Sequence, residues 1–443
     1  MTLDLSGKRV VVVGLGESGI AAARLCLARG ASVIGTDQAP LDRLSPTVQD
    51  LSIELVAGGH AGVAFDTADL VVVSPGVPAL PELEQAVLAG VEVIGELELA
   101  CRFVTAPLVV VGGTNGKSTT TTLVGDLLRA GGRHVFVGGN LGTPAAEAVL
   151  RPFDAVVLEV SSFQLERAPT LHPKVSVLLN ITEDHLDRYP SFVAYAEAKG
   201  NAFSNQEPGD TAIVPFGDAP TEEQARRGRG DLVMFGRAGD YLVDDGVVVE
   251  AESGEHFDLR SSRLHGRHNH DNAAAAIAAA RALGAAVEAI RDGLADFEPL
   301  PHRMALVREL GGVRFYDDSK GTNVGAAVTA LSGLREEKGV LIAGGRDKHG
   351  SYAPLVDALR ERGRAVVLLG EAAPRLFDAI GGALPVEHAT SIEEAVTRAF
   401  ALSRPGDAVL LSPACSSFDM FTSYAERGDR FSAAVKRLEK EPA

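Results

Sequence analysis

Apolar residues in this chain come in short unbroken runs, such as Val10-Val11-Val12-Val13 and Val109-Val110-Val111, each closed by glycine. A run without polar alternation suits a strand covered on both faces, as in a parallel sheet flanked by helices. The first stretch reads as strand (Arg9 to Val13), glycine turn, helix (Gly19 to Arg29) and strand (Ser32 to Thr36). Short alternations continue through Val71-Val72-Val73 and Val91-Glu92-Val93-Ile94 to about Thr105. A second strand-loop-helix starts afresh at Leu108 to Val111, with its helix from Lys117 and further strands at Ala155 to Leu158 and Val175 to Leu179. The Ala-rich stretch Asn272 to Leu283 is composed of strong helix formers, and Pro299-Leu300-Pro301 soon breaks the pattern. A third set of strands follows at Arg314 to Tyr316, Gly339 to Ala343, Ala365 to Leu369 and Ala408 to Leu411. The alternation predicts an α/β fold in three domains, 1–105, 106–299 and 300–443.

Composition narrows the partners. A chain of 443 residues, 46% hydrophobic, exceeds a single ordinary core. Its formal charge of -17 opposes nucleic acid or an anionic membrane as main partner. An anionic small molecule remains compatible, because screening limits exposed charges to roughly 8 Å and local lysines or helix amino-termini then decide. Cys26, Cys101 and Cys415 have neither metal-ligand spacing nor a disulfide framework, and the start of the chain lacks a basic, apolar leader. No apolar stretch approaches bilayer-spanning length, so the cytoplasm is the expected compartment.

Two loops carry phosphate chemistry. Gly14-Leu15-Gly16-Glu17-Ser18-Gly19 is a GxGxxG turn directly after a strand, with Asp37 near the end of the next. Alone it fits any phosphate-bearing nucleotide, NAD among them, or a tight turn needed only for packing. Gly113-Thr114-Asn115-Gly116-Lys117-Ser118-Thr119 sets backbone amides, a lysine and hydroxyls at a helix start, as β- and γ-phosphates with magnesium require. The strict P-loop needs glycine where Val111 stands, so this is a shortened relative. Glu159 closes the apolar strand Ala155 to Leu158 and would point into the crevice as a metal ligand. Asn180-Ile181-Thr182-Glu183-Asp184-His185-Leu186-Asp187-Arg188-Tyr189 follows another strand, either as site residues or as a solvated acidic turn.

The shortened GTNGKST loop, the Glu159 strand end, Asn180 to Tyr189 and the lysine of Tyr195-Ala196-Glu197-Ala198-Lys199 together resemble the Mur ligase family, which has the folylpolyglutamate synthetases as relatives. The resemblance spans the chain. It is strongest to the branch that adds D-glutamate to UDP-N-acetylmuramoyl-L-alanine, through Gly14 to Gly19, Ser74-Pro75-Gly76-Val77-Pro78, Asp317-Asp318-Ser319-Lys320-Gly321-Thr322-Asn323 and Leu411 to Asp419. It implies a Rossmann-like domain for the UDP substrate, a P-loop ATPase-like central domain with a mostly parallel sheet, and a Rossmann-like domain for the amino acid. The implied reaction is an ATP-dependent amide ligation through an acyl phosphate in peptidoglycan precursor synthesis, by a cytoplasmic monomer.

The resemblance also implies roles. Gly113 to Thr119 would hold the ATP phosphates, with Lys117 catalytic and Ser118 and Glu159 on a first Mg2+. His185 would face a second Mg2+, and Lys199 resembles a lysine that carbon dioxide carbamylates into an anionic ligand. Read from its own residues, Lys199 is instead a surface helix lysine. Asn269, Asn272, Arg303 and Asp318 would contact adenine and ribose; without the resemblance the asparagines are helix caps. Ser18, Asp37, Gly76, Asn140, Ser161 and Gln164 would bind the UDP substrate, and Thr322, Lys348, Ser417 and Phe418 the carboxylates of D-glutamate. Gly345-Arg346-Asp347-Lys348-His349 reads equally as an exposed turn. Cys415 is a small buried residue, since no covalent enzyme intermediate is needed. Departures from the family pattern are Gln38-Ala39-Pro40 after Asp37 where a basic residue is frequent, Gly321 where alanine is usual, and Gly200-Asn201 after Lys199 in place of a longer basic stretch.

Overall fold

The computed structural model describes residues 3–185, 188–264, 266–348 and 350–439. Leu186, Asp187 and His349, quoted in the runs above, lie outside the described residues. The chain forms two compact units, one of Met1–Ile181, Tyr195–Ser262 and Asp271–Phe297, the other of Thr182–Ala194, Arg263–His270 and Glu298–Ala443.

Three sheets organise them, two in the first unit and one in the second. The first contains β1 (Arg9–Val13), β2 (Ser32–Asp37), β3 (Glu54–Ala57), β4 (Leu70–Val73) and β5 (Glu92–Gly95), all parallel, in the order β3-β2-β1-β4-β5. The second comprises β6 (Leu108–Gly112), β7 (Val135–Gly139), β8 (Ala155–Glu159), β9 (Val175–Leu178), β10 (Thr211–Pro215), β11 (Asp231–Gly236), β12 (Tyr241–Asp244), β13 (Val247–Glu250) and β14 (His256–Asp258). Their order is β14-β13-β12-β11-β10-β9-β6-β8-β7, with the β12–β13 and β13–β14 pairs antiparallel.

The third sheet has β15 (Ala305–Leu310), β16 (Val313–Asp317), β17 (Gly339–Gly344), β18 (Gly363–Leu369), β19 (Val386–His388) and β20 (Ala408–Leu411), ordered β15-β16-β20-β17-β18-β19. Only its β15–β16 pair is antiparallel. The sheet shows why the apolar runs lack alternation. Leu341, Val366, Leu368 and Leu410 belong to one buried cluster, while their neighbours Val340, Ile342, Val367 and Val409 belong to another on the opposite face. Helices such as Ala353–Arg362 and Ile392–Leu402 supply the residues that cover these faces.

Differences from the sequence reading include interior strands, β10 and β11, as well as strands nearer the edges. The hairpins of β12 to β14 and the edge strand β15 are absent from it, because their residues alternate with polar groups or lie half-exposed, as in β13, where Val248 and Glu250 are buried and Val247 and Val249 less so. The first helix begins at Glu17, ahead of Gly19, and the Ala-rich helix runs from Arg267 to Ala282.

A short helix, Glu96–Cys101, follows the first sheet and buries two carboxylates. Glu98 accepts from Arg102 Nε at 2.8 Å and from the Thr170 amide at 3.2 Å. Glu96 Oε1 takes the Ala146 amide at 2.6 Å, and its Oε2 has no hydrogen-bond partner among the described residues. Burial pushes the Glu96 carboxyl up to about 7, with Glu147 adding to the rise and the Ala146 amide opposing it. The folded state thus keeps a proton that the unfolded chain releases near 4.5. The resulting stability is complete below that value and lost as pH rises through about 7. Glu96→Gln keeps an acceptor for Ala146 and removes the titration. Denaturation from pH 5 to 8 should show the wild type losing up to about 3 kcal/mol relative to the variant; parallel pH profiles would contradict the protonated assignment.

Candidate active site

The phosphate loop occupies the carboxyl end of β6, between the ends of β9 and β8. Strand order reverses about β6, and such a switch point opens the crevice in which parallel sheets bind ligands. The following helix begins at Lys117, as its sequence predicts. Gly116 caps it in the left-handed region, at φ 86°, and a Cβ there would lie 2.3 Å from Asn272 Oδ1. A glycine is therefore required, and the space a side chain would fill is left to the backbone. Asn180 secures the loop from the end of β9: its Oδ1 accepts from the Asn115 amide at 2.9 Å, its Nδ2 donates to Asn115 O at 3.1 Å, and its carbonyl accepts from the Thr114 amide at 2.9 Å. Lys117 Nζ donates to Thr114 O at 2.8 Å, while Ser118 and Thr119 are buried in the first helical turn.

Lys199 is corrected by the structure. Its own residues suggest a surface position, yet it is 2% exposed, and Nζ donates to Gly113 O at 2.8 Å. The ammonium also sits 4.6 Å from the centroid of the Tyr195 ring, whose hydroxyl lies 3.2 Å from Thr114 Oγ1. The helix Phe192–Gly200 thus turns both residues onto the phosphate loop. Tyr195 was missed because an aromatic on an alanine-rich helix reads as core.

Glu159 closes β8 as its run of apolar neighbours predicts, and it is buried. Asn140, at the end of β7, donates through Nδ2 to Glu159 Oε1 at 2.7 Å and through its backbone amide to Glu159 O at 2.8 Å. Among the described residues no three His, Cys, Asp or Glu side chains converge. A magnesium ion beside Glu159 would accordingly take further ligands from phosphate oxygens, water and hydroxyls such as Ser118, which is how this hard cation is ordinarily held. Ser161 and Gln164 form a capping box for the helix Ser162–Leu165, with Gln164 Oε1 accepting from the Ser161 amide at 2.9 Å.

In the first sheet, the glycine turn follows β1, at the reversal between β1 and β4. Asp37 supports it: Oδ2 accepts from the Leu15 amide at 2.6 Å and Oδ1 from the Ala39 amide at 2.7 Å. Ser74, after β4, donates to Gly14 O at 2.7 Å. Ser18 is half-buried and Gly76 exposed beside these turns.

The second unit gathers another group of predicted residues on the loops after β16, β17 and β20, three neighbouring strands. Asp318 accepts from Ser412 Oγ at 2.7 Å, and burial pushes its carboxyl up to about 7, against the pull of Ser412 and Arg303. A Cβ at Gly321 would sit 2.5 Å from both Asp318 Oδ2 and Ser412 Oγ, so alanine at this position would displace the pair. Arg303 lies between His302 and Met304, both at positive φ. His302 is held by Nδ1 against Asp317 Oδ2 at 2.7 Å, and its carbonyl accepts from the Lys320 amide at 3.1 Å. Asn269 is half-buried on the helix Arg267–Ala282, one turn before Asn272.

An open cleft in this unit is lined by Glu183, Asp184, His185, Asn323, Lys348 and Tyr352. Asp184 is its electrostatic centre. Lys348 Nζ donates to Oδ1 at 3.1 Å, Asn323 Nδ2 to Oδ2 at 3.3 Å, and the His185 amide to Oδ1 at 2.9 Å. Burial works to raise its pKa, but the Lys348 and His185 charges and these hydrogen bonds hold the carboxyl below its usual range. The Lys348 turn is thus tied into the cleft. Thr322 is half-buried, Ser417 buried and Phe418 exposed on the adjoining loops. His185 and Ala414 also have positive φ, so four of the five described non-glycine residues in that region fall in this unit. Asp184 and Asn323 were legible only as parts of longer motifs.

Comparisons with known proteins bear on the family and the fold. Three family models match: the Mur ligase MurD-like N-terminal domain over 8–95, the Mur ligase middle domain over 111–280, and the Mur ligase glutamate ligase domain over 302–415. The chain is 45% identical to the UDP-N-acetylmuramoylalanine--D-glutamate ligase of Trichlorobacter lovleyi, across 98% of this chain and 100% of that one. It is 46% identical to the protein of the same name from Desulfosudis oleivorans, across 99% and 98%. Among solved structures, the fold resembles UDP-N-acetylmuramate-alanine ligase MurC from Thermotoga maritima, with a TM-score of 0.61 at 19% identity over 97% of this chain and 99% of that one. It also resembles the MurF ligase of Thermotoga maritima in complex with ADP, with a TM-score of 0.60 at 20% identity over 98% and 96%. With its phosphate loop, its three sheets and whole-length relatives at this identity, the chain belongs to the Mur ligase family.

Proposed function

We propose that this chain joins D-glutamate to UDP-N-acetylmuramoyl-L-alanine in an ATP-dependent amide ligation within peptidoglycan precursor synthesis. The observation that carries the reading is the whole-length similarity to relatives bearing that name, in a chain whose phosphate loop is built for a nucleotide triphosphate. Segment 1–105 binds the UDP substrate, 106–299 ATP and 300–443 the amino acid. The protein acts as a cytoplasmic monomer without nucleic-acid or membrane partners; the charge of -17 supports the exclusion of nucleic acid and anionic membranes.

A carboxylate is a poor electrophile at neutral pH, and transfer of the ATP γ-phosphoryl group to the acceptor's terminal carboxylate converts it into an acyl phosphate. Attack by the amine of D-glutamate then forms the amide C–N bond and breaks the C–O bond to phosphate, which leaves with its electron pair as the amine loses a proton. The amides from Gly113 to Ser118 hold the phosphates, and Lys117, released from Thr114 O, follows the negative charge as it moves. Magnesium held through Ser118 and Glu159 would neutralise phosphate charge, and His185 and Lys199, the latter once carbamylated, each offer a donor suited to a further magnesium ion. The Asn140 bond fixes the Glu159 carboxylate before any ligand arrives. Asn269, Asn272, Arg303 and Asp318 bind the nucleoside. Ser18, Asp37, Gly76, Asn140, Ser161 and Gln164 serve the UDP substrate. For Asp37 and the Ser161–Gln164 pair this service is structural, through the turn and cap they stabilise. Thr322, Lys348, Ser417 and Phe418 receive D-glutamate, with Lys348 exchanging Asp184 for a substrate carboxylate.

Acceptor labelled with 18O in its terminal carboxylate should deliver one labelled oxygen to inorganic phosphate for each amide formed, read by mass spectrometry; unlabelled phosphate would exclude the acyl phosphate. Replacement of Lys117 by alanine should reduce kcat by at least about 100-fold, the usual cost of losing one donor to developing charge, with an unchanged thermal midpoint. Near-normal turnover in that variant would remove Lys117 from the mechanism.

A further inference from the structure

The largest of the fully buried side chains is a charged one, Arg427, 1% exposed. It stands in the first turn of the helix Tyr424–Arg437, whose start is fixed twice over. Ser423 Oγ accepts from the Glu426 amide at 3.1 Å, and Glu426 Oε2 reaches back to the Thr422 amide at 2.8 Å. A buried guanidinium ordinarily faces a carboxylate, because taking the charge out of water is otherwise costly. Among the described residues, Arg427 instead bonds only neutral oxygens. Nε donates to Ser319 Oγ at 3.0 Å, Nη2 to Ser319 O at 2.9 Å, and Nη1 and Nη2 to Cys415 O at 3.3 and 3.4 Å. Asp317, Asp318 and Asp419 bias its charge without being hydrogen-bonded to it, and burial lowers its pKa only to about 10, so it is cationic at neutral pH.

Its partners lie on separate loops. Ser319 leads directly into Thr322, and Cys415 into Ser417 and Phe418. Ser319 Oγ, while accepting from Arg427, donates to Tyr424 O at 2.7 Å, which ties the first loop to the same helix start. The loop that carries Lys348 is keyed to this point as well. The Arg346 amide donates to Ser416 O at 2.9 Å, and a Cβ on Gly345 would fall 3.3 Å from Arg427 Nη1. One planar cation thus spans the roots of the loops after β16 and β20 and abuts that after β17.

We infer that Arg427 is a positioning residue that sets the spacing between the loops bearing Thr322, Ser417 and Lys348, and thereby the length of dicarboxylic amino acid the enzyme accepts. The inference rests on the proposed assignment of those residues to D-glutamate. A lysine keeps the charge but offers one nitrogen where the fork offers three, so it cannot hold both loop carbonyls and the Ser319 hydroxyl in one plane.

The test is steady-state kinetics of the full-length enzyme and its Arg427→Lys variant with D-glutamate and with D-aspartate, one methylene shorter. The variant should raise the KM for D-glutamate by about tenfold or more and narrow its preference for D-glutamate over D-aspartate. KM for ATP and for the UDP acceptor should stay within about threefold. Ser319→Ala, which deletes one acceptor of the fork and is the milder lesion, should shift the same two quantities in the same direction by about threefold. Unchanged D-glutamate KM and selectivity in Arg427→Lys, or an equal KM rise for all three substrates, would overturn the inference. If Arg427→Lys fails to fold, unchanged values in Ser319→Ala overturn it. Failure of the wild type to use D-glutamate would refute the proposed function and not the role of Arg427.

Discussion

A parallel strand that ends inside a protein leaves its last carbonyls and the next few amides without ladder partners, and each such group must be bonded before the loop can keep one shape. In this chain the partners come from neighbouring strand ends. Asn180 after β9 satisfies the Asn115 and Thr114 amides after β6, and Asn140 after β7 satisfies Glu159 of β8. Asp37 and Ser74 brace the glycine turn after β1, and Ser412 after β20 bonds Asp318 after β16. Mutual support at strand ends bonds the backbone of these loops, which is what preorganised charge stabilisation requires.

The same arrangement accounts for the charged groups that are buried. Lys199, Glu159, Asp318 and Arg427 lie inside, where each bonds a backbone or side-chain oxygen or amide on a neighbouring loop. Such groups cost stability, and the strained backbone at His185, His302, Met304 and Ala414 adds to that cost. The apolar clusters on the two faces of the third sheet offset it.

Much of this was legible in the sequence, since the unbroken apolar runs are buried parallel strands and each motif begins where such a run ends. The helix start at Lys117 and the strand-end position of Glu159 followed from local chemistry alone, and the buried setting of Cys415 from the mechanism the resemblance implies. Contacts between distant residues did not. Lys199 reads as solvated because its helix carries Glu197 and alanines, and only the approach of Gly113, 86 residues away, reveals why it is buried. Arg427, within Tyr424-Ala425-Glu426-Arg427-Gly428-Asp429-Arg430, looks like one more charge on an exposed helix. The β12 to β14 hairpins and the edge strand β15 escaped notice because their apolar residues alternate with polar ones or lie half-exposed.

The central claim is that one chain couples ATP to the union of a nucleotide-linked acid and D-glutamate. Phosphate release from ATP measures it most directly. Release should require UDP-N-acetylmuramoyl-L-alanine and D-glutamate together, with neither alone sufficient. Release stimulated by a folate with L-glutamate, or indifferent to D-glutamate, would contradict the account.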